Sequence, residues 1–282
     1  QQDKAVAACA TTAVWSALHR AREFEDIASF TPAQITALAA RRSLPFGRGM
    51  PSEGLSIDQM CQAIQGVGVS PVLRSAMDFA AARGLLYSSL RSGVAPVLAL
   101  ERGSRVGHAV VAVGMGLRAG AGKPQQGVRD VAAELEVLYI HDDRIGPYMR
   151  AELVPDGARP KIQLVFRTKA GPVLEPWYLT HILFPMHAKV RIAFSELREL
   201  AFDFVAAEVL AYIRSDASLR NDPAVAAATA HLDVAAWIDR SYRYVGDLLE
   251  QSSGWPQSVA LRLVKEVALP RYVGVVRISA EY

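Results

Sequence analysis

The side chain best placed to act as a nucleophile is that of Cys9. It stands at the start of an apolar stretch that predicts a buried helix from Ala8 to about Ala21. The unpaired N–H groups and the dipole at the start of a helix favour negative charge, so the thiolate form of Cys9 is favoured. The alternative is a small buried core residue on an alanine-rich helix.

A thiolate nucleophile needs an imidazole partner and a group that orients the ring. His108 follows Gly107 at the head of a very apolar predicted strand. Asp142 ends the next strand, where its carboxylate could bond the ring. Asp143 remains an alternative because the alternation of a strand cannot be placed to a single residue, and His141 ranks below both. His108 could also be a core histidine that is fully hydrogen-bonded, but the order Cys, His, Asp favours catalysis.

Three further residues of metal-ligand type receive a structural interpretation. His181 and His187 would share one face of a continuous strand, which suggests a metal site. Pro185 lies between them, and no cysteine or acidic residue is near, so we predict no metal ion and no cofactor. Cys61 keeps the helical register of the apolar residues around it and is predicted to lie in the core.

The elements that must position Cys9 and His108 are helices first and strands afterwards. Capping signals predict helices that begin at Thr31 and Ser56 and a helix from about Asp78 to Arg91. Strands are predicted at 94–101, 107–115, 135–141 and 161–167.

Two loops interrupt this pattern. Residues 43–55 are rich in glycine and proline and form a candidate wall of a binding groove, with Phe46, Gly47 and Gly49 as possible substrate contacts. Residues 117–130 are predicted to be an exposed hairpin loop that only connects two strands.

The tail of the chain is predicted to be mostly helical. After a strand-like segment at 181–194, helices are expected near Ser195, near Asp222 and Pro223, and near Pro256, before a final strand at 272–279. The aromatic residues of these helices are expected to be core or interface anchors (Trp237, Tyr242 and Tyr244). The fold class is therefore α+β, with one domain over 1–190 and a mainly helical extension over 191–282 that could bind a protein partner.

Composition excludes several classes of protein. The chain has 282 residues, of which 51% are hydrophobic and 21% charged, so it is not disordered. A net charge of +3 without basic clusters argues against nucleic-acid binding. No apolar stretch approaches the roughly 18 residues of a membrane-spanning helix, so no membrane partner is expected. Two cysteines cannot form a disulfide framework, which favours the cytoplasm, and the start at Gln1 predicts a trimmed chain.

Four segments carry a resemblance to a known family. They are QQDKAVAACATTAVWSAL, GLSIDQMCQAIQGVGV, LRSGVAPVLALE with GHAVVAVGM, and LYIHDDRIGPY. Together they resemble papain-like cysteine peptidases over about residues 1–150, and most closely the bacterial group that cleaves double-glycine leader peptides. The resemblance implies a helical half packed on an antiparallel sheet.

The resemblance also implies a role for each site residue. Cys9 would be the nucleophile, His108 the general base and later acid, and Asp142 the group that orients His108. Gln2 and the backbone N–H of Cys9 would donate to the oxyanion. Ala8 and Ala10 flank Cys9, where the family usually has Asp or Ser before the cysteine and Gly after it.

These inferences predict a cysteine peptidase that acts through an acyl-enzyme. The substrate would be an extended peptide or protein tail in the groove between the helical and sheet halves. An acyl transferase or a deamidase would use the same three residues. The alternative from another class is a binding module that has kept the fold and lost turnover.

Overall fold

A computed structural model of the chain describes residues 8–24, 27–41, 54–75, 77–103, 106–118, 127–168, 171–229, 231–251 and 270–280. The fold is a mixture of helices and antiparallel strands, so the predicted α+β class is confirmed. The chain divides into two compact units. One comprises Gln1–Lys123 with Val131–Ala188, and the other comprises Pro124–Asp130 with Lys189–Tyr282.

The first unit begins with helices that start where the sequence predicts. They are α1 (Cys9–Phe24), α2 (Pro32–Ala39), α3 (Ile57–Gly66) and α4 (Phe79–Arg91). Thr31 and Ser56 form complete capping boxes at α2 and α3, and the Asp78 side chain accepts from the N–H of Ala81 at α4. The predicted helix starts are confirmed because these caps satisfy backbone donors that the helices leave unpaired.

A seven-stranded antiparallel sheet follows these helices. Its strands are β1 (Ser70–Ser75), β2 (Val97–Arg102), β3 (Val106–Leu117), β5 (Leu135–Asp142), β6 (Gly146–Asp156), β7 (Arg159–Thr168) and β8 (Gly171–Met186). Strand β4 (Gly127–Asp130) belongs to the second unit. The order is β1-β8-β2-β3-β5-β6-β7, and β7 also pairs with β8, so the sheet closes on itself. The long strand β8 joins the two ends of this arrangement because it pairs with β1, β2 and β7.

The helices pack on the sheet through one apolar cluster. The residues of α1 that the sequence predicts to be buried are all at most 5% exposed (Ala10, Ala13, Val14, Ala17 and Leu18). They meet residues of β2, β3 and β8 such as Val97, Val111 and Leu183. Trp15 donates its indole N–H to the carbonyl of Phe30 at 2.8 Å. The cluster and this bond fix where the start of α1 lies against β3.

The first unit departs from the predicted elements at several points. Strands β1 and β6 were not among the predicted strands. Residues 127–130, predicted to be part of a connecting loop, form strand β4 of the second unit. The strand predicted at 181–194 instead begins at Gly171 and ends at Met186, and it continues through Pro185. Between residues 171 and 177, β8 pairs with β7 on one side, and its pairing with β2 begins only at Tyr178. Pro172 and Pro176 have no backbone N–H, and they are tolerated here because no strand on the other side needs one.

The second unit contains a three-stranded sheet of order β10-β9-β4. Its strands are β4 (Gly127–Asp130), β9 (His231–Arg240) and β10 (Tyr272–Ala280). Its helices are α5 (Phe194–Glu199), α6 (Ala207–Ser215), α7 (Ala217–Arg220), α8 (Pro223–Thr229) and α9 (Ser241–Gln251), with a π-helix at Leu200–Ala206. The helix starts expected near Ser195 and Pro223 and the final strand are confirmed. The helix expected near Pro256 lies outside the described residues.

The prediction that Trp237 lies in a helix is wrong, because it lies in β9. Alternate residues of this strand are buried (Leu232, Val234, Ala236 and Ile238). This is a strand period, but the alanines at 235 and 236 weaken the contrast between the two faces. Pairing with β4 on one side and β10 on the other decides the conformation. Within the described residues, no helix is both long enough and apolar enough to cross a membrane.

Candidate active site

The structure brings together three of the residues that the sequence singles out. Cys9 is the first residue of α1, His108 lies near the start of β3, and Asp142 is the last residue of the neighbouring strand β5. The Nε2 atom of His108 lies 2.9 Å from Oδ2 of Asp142. The Cys9 side chain is within hydrogen-bonding reach of the same ring. The imidazole therefore lies between the sulfur and the carboxylate.

The two nitrogens of the His108 ring have separate partners. Nε2 is engaged by Asp142, which leaves Nδ1 for the sulfur of Cys9. Burial lowers the pKa of His108, but the hydrogen bonds with Asp142 and Cys9 and the charge of Asp142 outweigh it and raise the pKa to about 9. The ring is therefore protonated at neutral pH.

Asp142 is the anionic partner of this imidazolium. Burial raises the pKa of its carboxyl, but hydrogen bonds from His108 and Arg144 and the charge of His108 lower the pKa to about 2. The Asp142 side chain is fully buried, and that of His108 is 5% exposed. A buried ion pair of this kind is stable only when further hydrogen bonds satisfy its remaining atoms.

Arg144 supplies those further hydrogen bonds. Its backbone N–H donates to Oδ1 of Asp142 at 2.8 Å, and its guanidinium donates to Oδ1 at 3.3 Å and to Oδ2 at 3.2 Å. Glu175 accepts from the same guanidinium at 3.5 Å and pairs with Arg102. Asp142 is thus held in one orientation by a chain of alternating charges.

Trp177 covers the His–Asp pair. Its ring centroid lies 5.5 Å from that of His108, and the residue is only 2% exposed. The Arg144 guanidinium lies 5.4 Å from the centre of the same indole. The indole excludes water from the hydrogen bond between His108 and Asp142, which strengthens their electrostatic interaction.

The two neighbours of Asp142 have other surroundings. Burial raises the pKa of the Asp143 carboxyl, and the imidazole is bonded to Asp142 instead. The ring of His141 packs edge-on against Tyr148, with centroids 4.7 Å apart. Within the described parts of the chain, the group that could approach a metal ion consists of His108, Asp142 and Asp143, whose ligand atoms lie within 4.8 Å of one another. Two of its members are already bonded to each other.

Cys9 and His108 line a cleft of about 400 Å³. Small residues of β2 and β3 also line it (Ala99, Gly107 and Ala109), as do apolar residues at the start of α3 (Leu55, Ile57 and Met60). Gly54 and Leu55, the end of the loop predicted to form a wall, are among the lining residues. Gln2, Phe46, Gly47 and Gly49 lie outside the described residues, so their predicted roles stay predictions.

The three remaining candidates are His181, His187 and Cys61. His181 lines the cleft, whereas His187 follows the end of β8. Cys61 is half-buried on α3 and packs against the apolar cluster. Burial raises the pKa of the Cys61 thiol, and the charge of Asp58 raises it further.

Comparison with known proteins finds no matching family model and no matching curated protein. The site is therefore interpreted from its own geometry. A sulfur at a helix start, a buried imidazolium and an oriented carboxylate can together perform nucleophilic attack and proton transfer at a carbonyl group.

Sequence reasoning missed Arg144, Glu175 and Trp177. Arg144 could have been found, because a residue two positions after an aspartate in a turn commonly donates its N–H to that aspartate. Glu175 and Trp177 lie on β8 within a stretch whose two prolines obscure the strand. Their contact with the site depends on the pairing of distant strands, which no local pattern indicates.

Proposed function

We propose that this protein is a cysteine peptidase of papain-like fold that hydrolyses a peptide bond through a thioester intermediate. The observation that carries the proposal is the arrangement of Cys9, His108 and Asp142 in one cleft, with the imidazole between the sulfur and a buried carboxylate. The helices packed on an antiparallel sheet support the proposed fold family.

In the acylation step, the Cys9 sulfur forms a bond with the carbonyl carbon of the substrate. The C–N bond then breaks, and the proton on Nδ1 of His108 passes to the leaving amine. Asp142 holds the Nε2–H throughout and keeps Nδ1 directed at the sulfur. The product of this step is a thioester and a free amine.

In the deacylation step, Nδ1 of His108 takes a proton from a water molecule. The water oxygen bonds to the thioester carbon, the C–S bond breaks, and the Cys9 sulfur leaves with the bonding electrons. The proton stays on Nδ1, so the starting state of the site is restored. No cofactor is required for either half of the reaction. An amine acceptor in place of water would give acyl transfer, and a glutamine side chain as substrate would give deamidation, so these reactions differ only in the partner groups.

The start of α1 also supplies a donor for the oxyanion. The first backbone hydrogen bond at this end runs from the N–H of Thr12 to the carbonyl of Ala8 at 2.9 Å. Among the described residues, the N–H of Cys9 has no acceptor within the helix, so it can donate to a substrate oxygen. Such a donor contributes about 3 kcal/mol at the transition state.

The protonation state of His108 argues against a module that only binds. Taking an imidazolium and a carboxylate out of water costs free energy that a binding surface does not require. Here the pair lies behind Trp177, and Cys9 is the only cysteine among the described residues that line the cleft. A protonated ring beside the sulfur stabilises the thiolate needed for attack.

The test is the rate at which iodoacetamide labels Cys9 near neutral pH, followed by mass spectrometry of the labelled peptide. Cys61 is the internal control, because burial and the charge of Asp58 raise the pKa of its thiol. We expect rapid labelling of Cys9, slow labelling of Cys61, and loss of the difference in His108→Ala. Labelling of Cys9 no faster than a model thiol would contradict the proposal and favour the binding module.

A further inference from the structure

The wall of the cleft that β8 supplies contains a β-bulge. The pairing of β2 with β8 shifts between Ala99 and Leu100, which lie opposite His181 and Leu179, so Thr180 is an extra residue in β8. The Thr180 hydroxyl donates to the carbonyl of Ala99 at 3.1 Å. The same oxygen lies 3.1 Å from Nδ1 of His181. The bulge therefore fixes the position of the His181 ring.

These two hydrogen bonds decide which nitrogen of His181 carries hydrogen. The single hydrogen of the Thr180 hydroxyl is used for the Ala99 carbonyl, so the hydroxyl can only accept from the ring. Nδ1 of His181 is then the donor, and in the tautomer that this bond selects Nε2 is an acceptor. His181 lines the same cleft as Cys9 and His108 and offers it this acceptor.

Glu101 adds a negative charge on the same wall. It lies on β2 opposite Gly107 of β3 and is exposed in the cleft. Among the described residues, a Cβ atom on Gly107 would meet nothing within 4 Å, so the face of β3 opposite Glu101 is open at Gly107. Among the described residues that line the cleft, none is lysine or arginine. One side of the cleft is thus rich in acceptors and anionic.

Another part of the cleft lining is mainly apolar. Leu55, Ile57 and Met60 line it at the start of α3. A long side chain with an aliphatic stem and a charged end matches both surfaces, because the stem packs on apolar groups while the head reaches acceptors. Lysine and arginine have this structure.

We infer that Glu101 and His181 form a subsite that selects a lysine or arginine side chain next to the bond that Cys9 attacks. This inference rests on the proposed peptidase function and adds a substrate class to it. Glu101 supplies the charge, Nε2 of His181 supplies an acceptor, and the open space over Gly107 admits the substrate chain. An acidic side chain at the same position is repelled by Glu101.

The test uses thiol reagents of similar size and different charge, so no substrate has to be known. Cys9 of the full chain carrying Cys61→Ser is treated with methyl methanethiosulfonate, which is neutral, and with its 2-aminoethyl analogue, which is a cation. The measured quantity is the ratio of the cationic rate to the neutral rate. Glu199→Gln is the matched control, since Glu199 is an exposed glutamate of the second unit.

We expect Glu101→Gln to lower this ratio about fivefold. This is the effect expected when the cationic reagent loses its attraction to one negative charge several ångströms away in a partly hydrated cleft. The control should leave the ratio unchanged, and high salt should shrink the effect of Glu101. An equal ratio in Glu101→Gln and in the control would overturn the subsite. Failure of the proposed function has a different signature, because Cys9 would then react slowly even with the neutral reagent.

Discussion

Replacing Asp142 with asparagine should lower the pKa of His108 below its ordinary value. Asparagine keeps the shape of the side chain and an oxygen that can accept from Nε2, but it removes the charge. The Asp142 carboxylate raises the pKa of His108 to about 9 against the effect of burial. Without the charge, burial dominates, and the pKa should fall below 6.5.

The size of this effect follows from the raised pKa of His108 and its ordinary pKa. A fall from about 9 to below 6.5 is at least about 2.5 pH units, or on the order of 3 kcal/mol between the two protonation states. Near pH 7.5 the protonated fraction of the ring should drop from nearly all to less than about a tenth. The assay is an NMR titration of the histidine Cε1–H signals, with the His108 signal assigned from its absence in His108→Gln.

Asp143→Asn is the matched control for this titration. It removes a carboxylate from the neighbouring position that is not hydrogen-bonded to the ring. The His108 midpoint should therefore move much less than in Asp142→Asn. A midpoint that stays near pH 9 in Asp142→Asn, or equal shifts in the two variants, would refute the assigned role of Asp142.

The same network has two consequences for stability. Arg144→Gln should lower the free energy of unfolding by about 2 to 4 kcal/mol, because it leaves the buried Asp142 with fewer partners, whereas Arg150→Gln at an exposed ion pair should cost less than about 1 kcal/mol. Urea denaturation measures both, and equal losses would contradict the anchoring role of Arg144. The His108–Asp142 pair should contribute fully to the free energy of unfolding between about pH 4 and 6.5. Because the His108 pKa is raised, this contribution should be lost as the pH rises through 9. Because the Asp142 pKa is lowered, it should also be lost as the pH falls through 2. Denaturation across this pH range should show the alkaline decline in the wild type and not in His108→Gln, and an equal decline in both would exclude the pair as its source.

Local signals predict the helices and most strands of the first unit well. Caps at Thr31, Ser56 and Asp78 act through residues three positions away, and a single sequence displays them. The strand that follows His108 and the strand that ends at Asp142 were likewise predictable, because alternation or an apolar run marks each strand. The candidate triad depends on these local features and on the order of its members.

Features that depend on distant pairing were not predictable. Strand β9 pairs with β4 on one side and with β10 on the other. The sequence of β9 is typical of a helix and that of β4 is typical of a loop, so neither segment indicates this pairing. Whether Asp142 or Asp143 faces the ring depends on the register of β5 against β3, which shifts near Gly114. Trp177 contacts His108 because β8 pairs within the same sheet as β3. The two prolines before Trp177 hide this strand in the sequence.

The most direct test of the account is cleavage of a peptide library by the full chain, read out by mass spectrometry of new termini. Cys9→Ala removes the sulfur, and Cys61→Ala is the control that removes the other cysteine of the sequence. The account predicts new peptide termini with the wild type and with Cys61→Ala, and none with Cys9→Ala. Cleavage that persists in Cys9→Ala, or no cleavage by any form while Cys9 reacts only as fast as a model thiol, would contradict it.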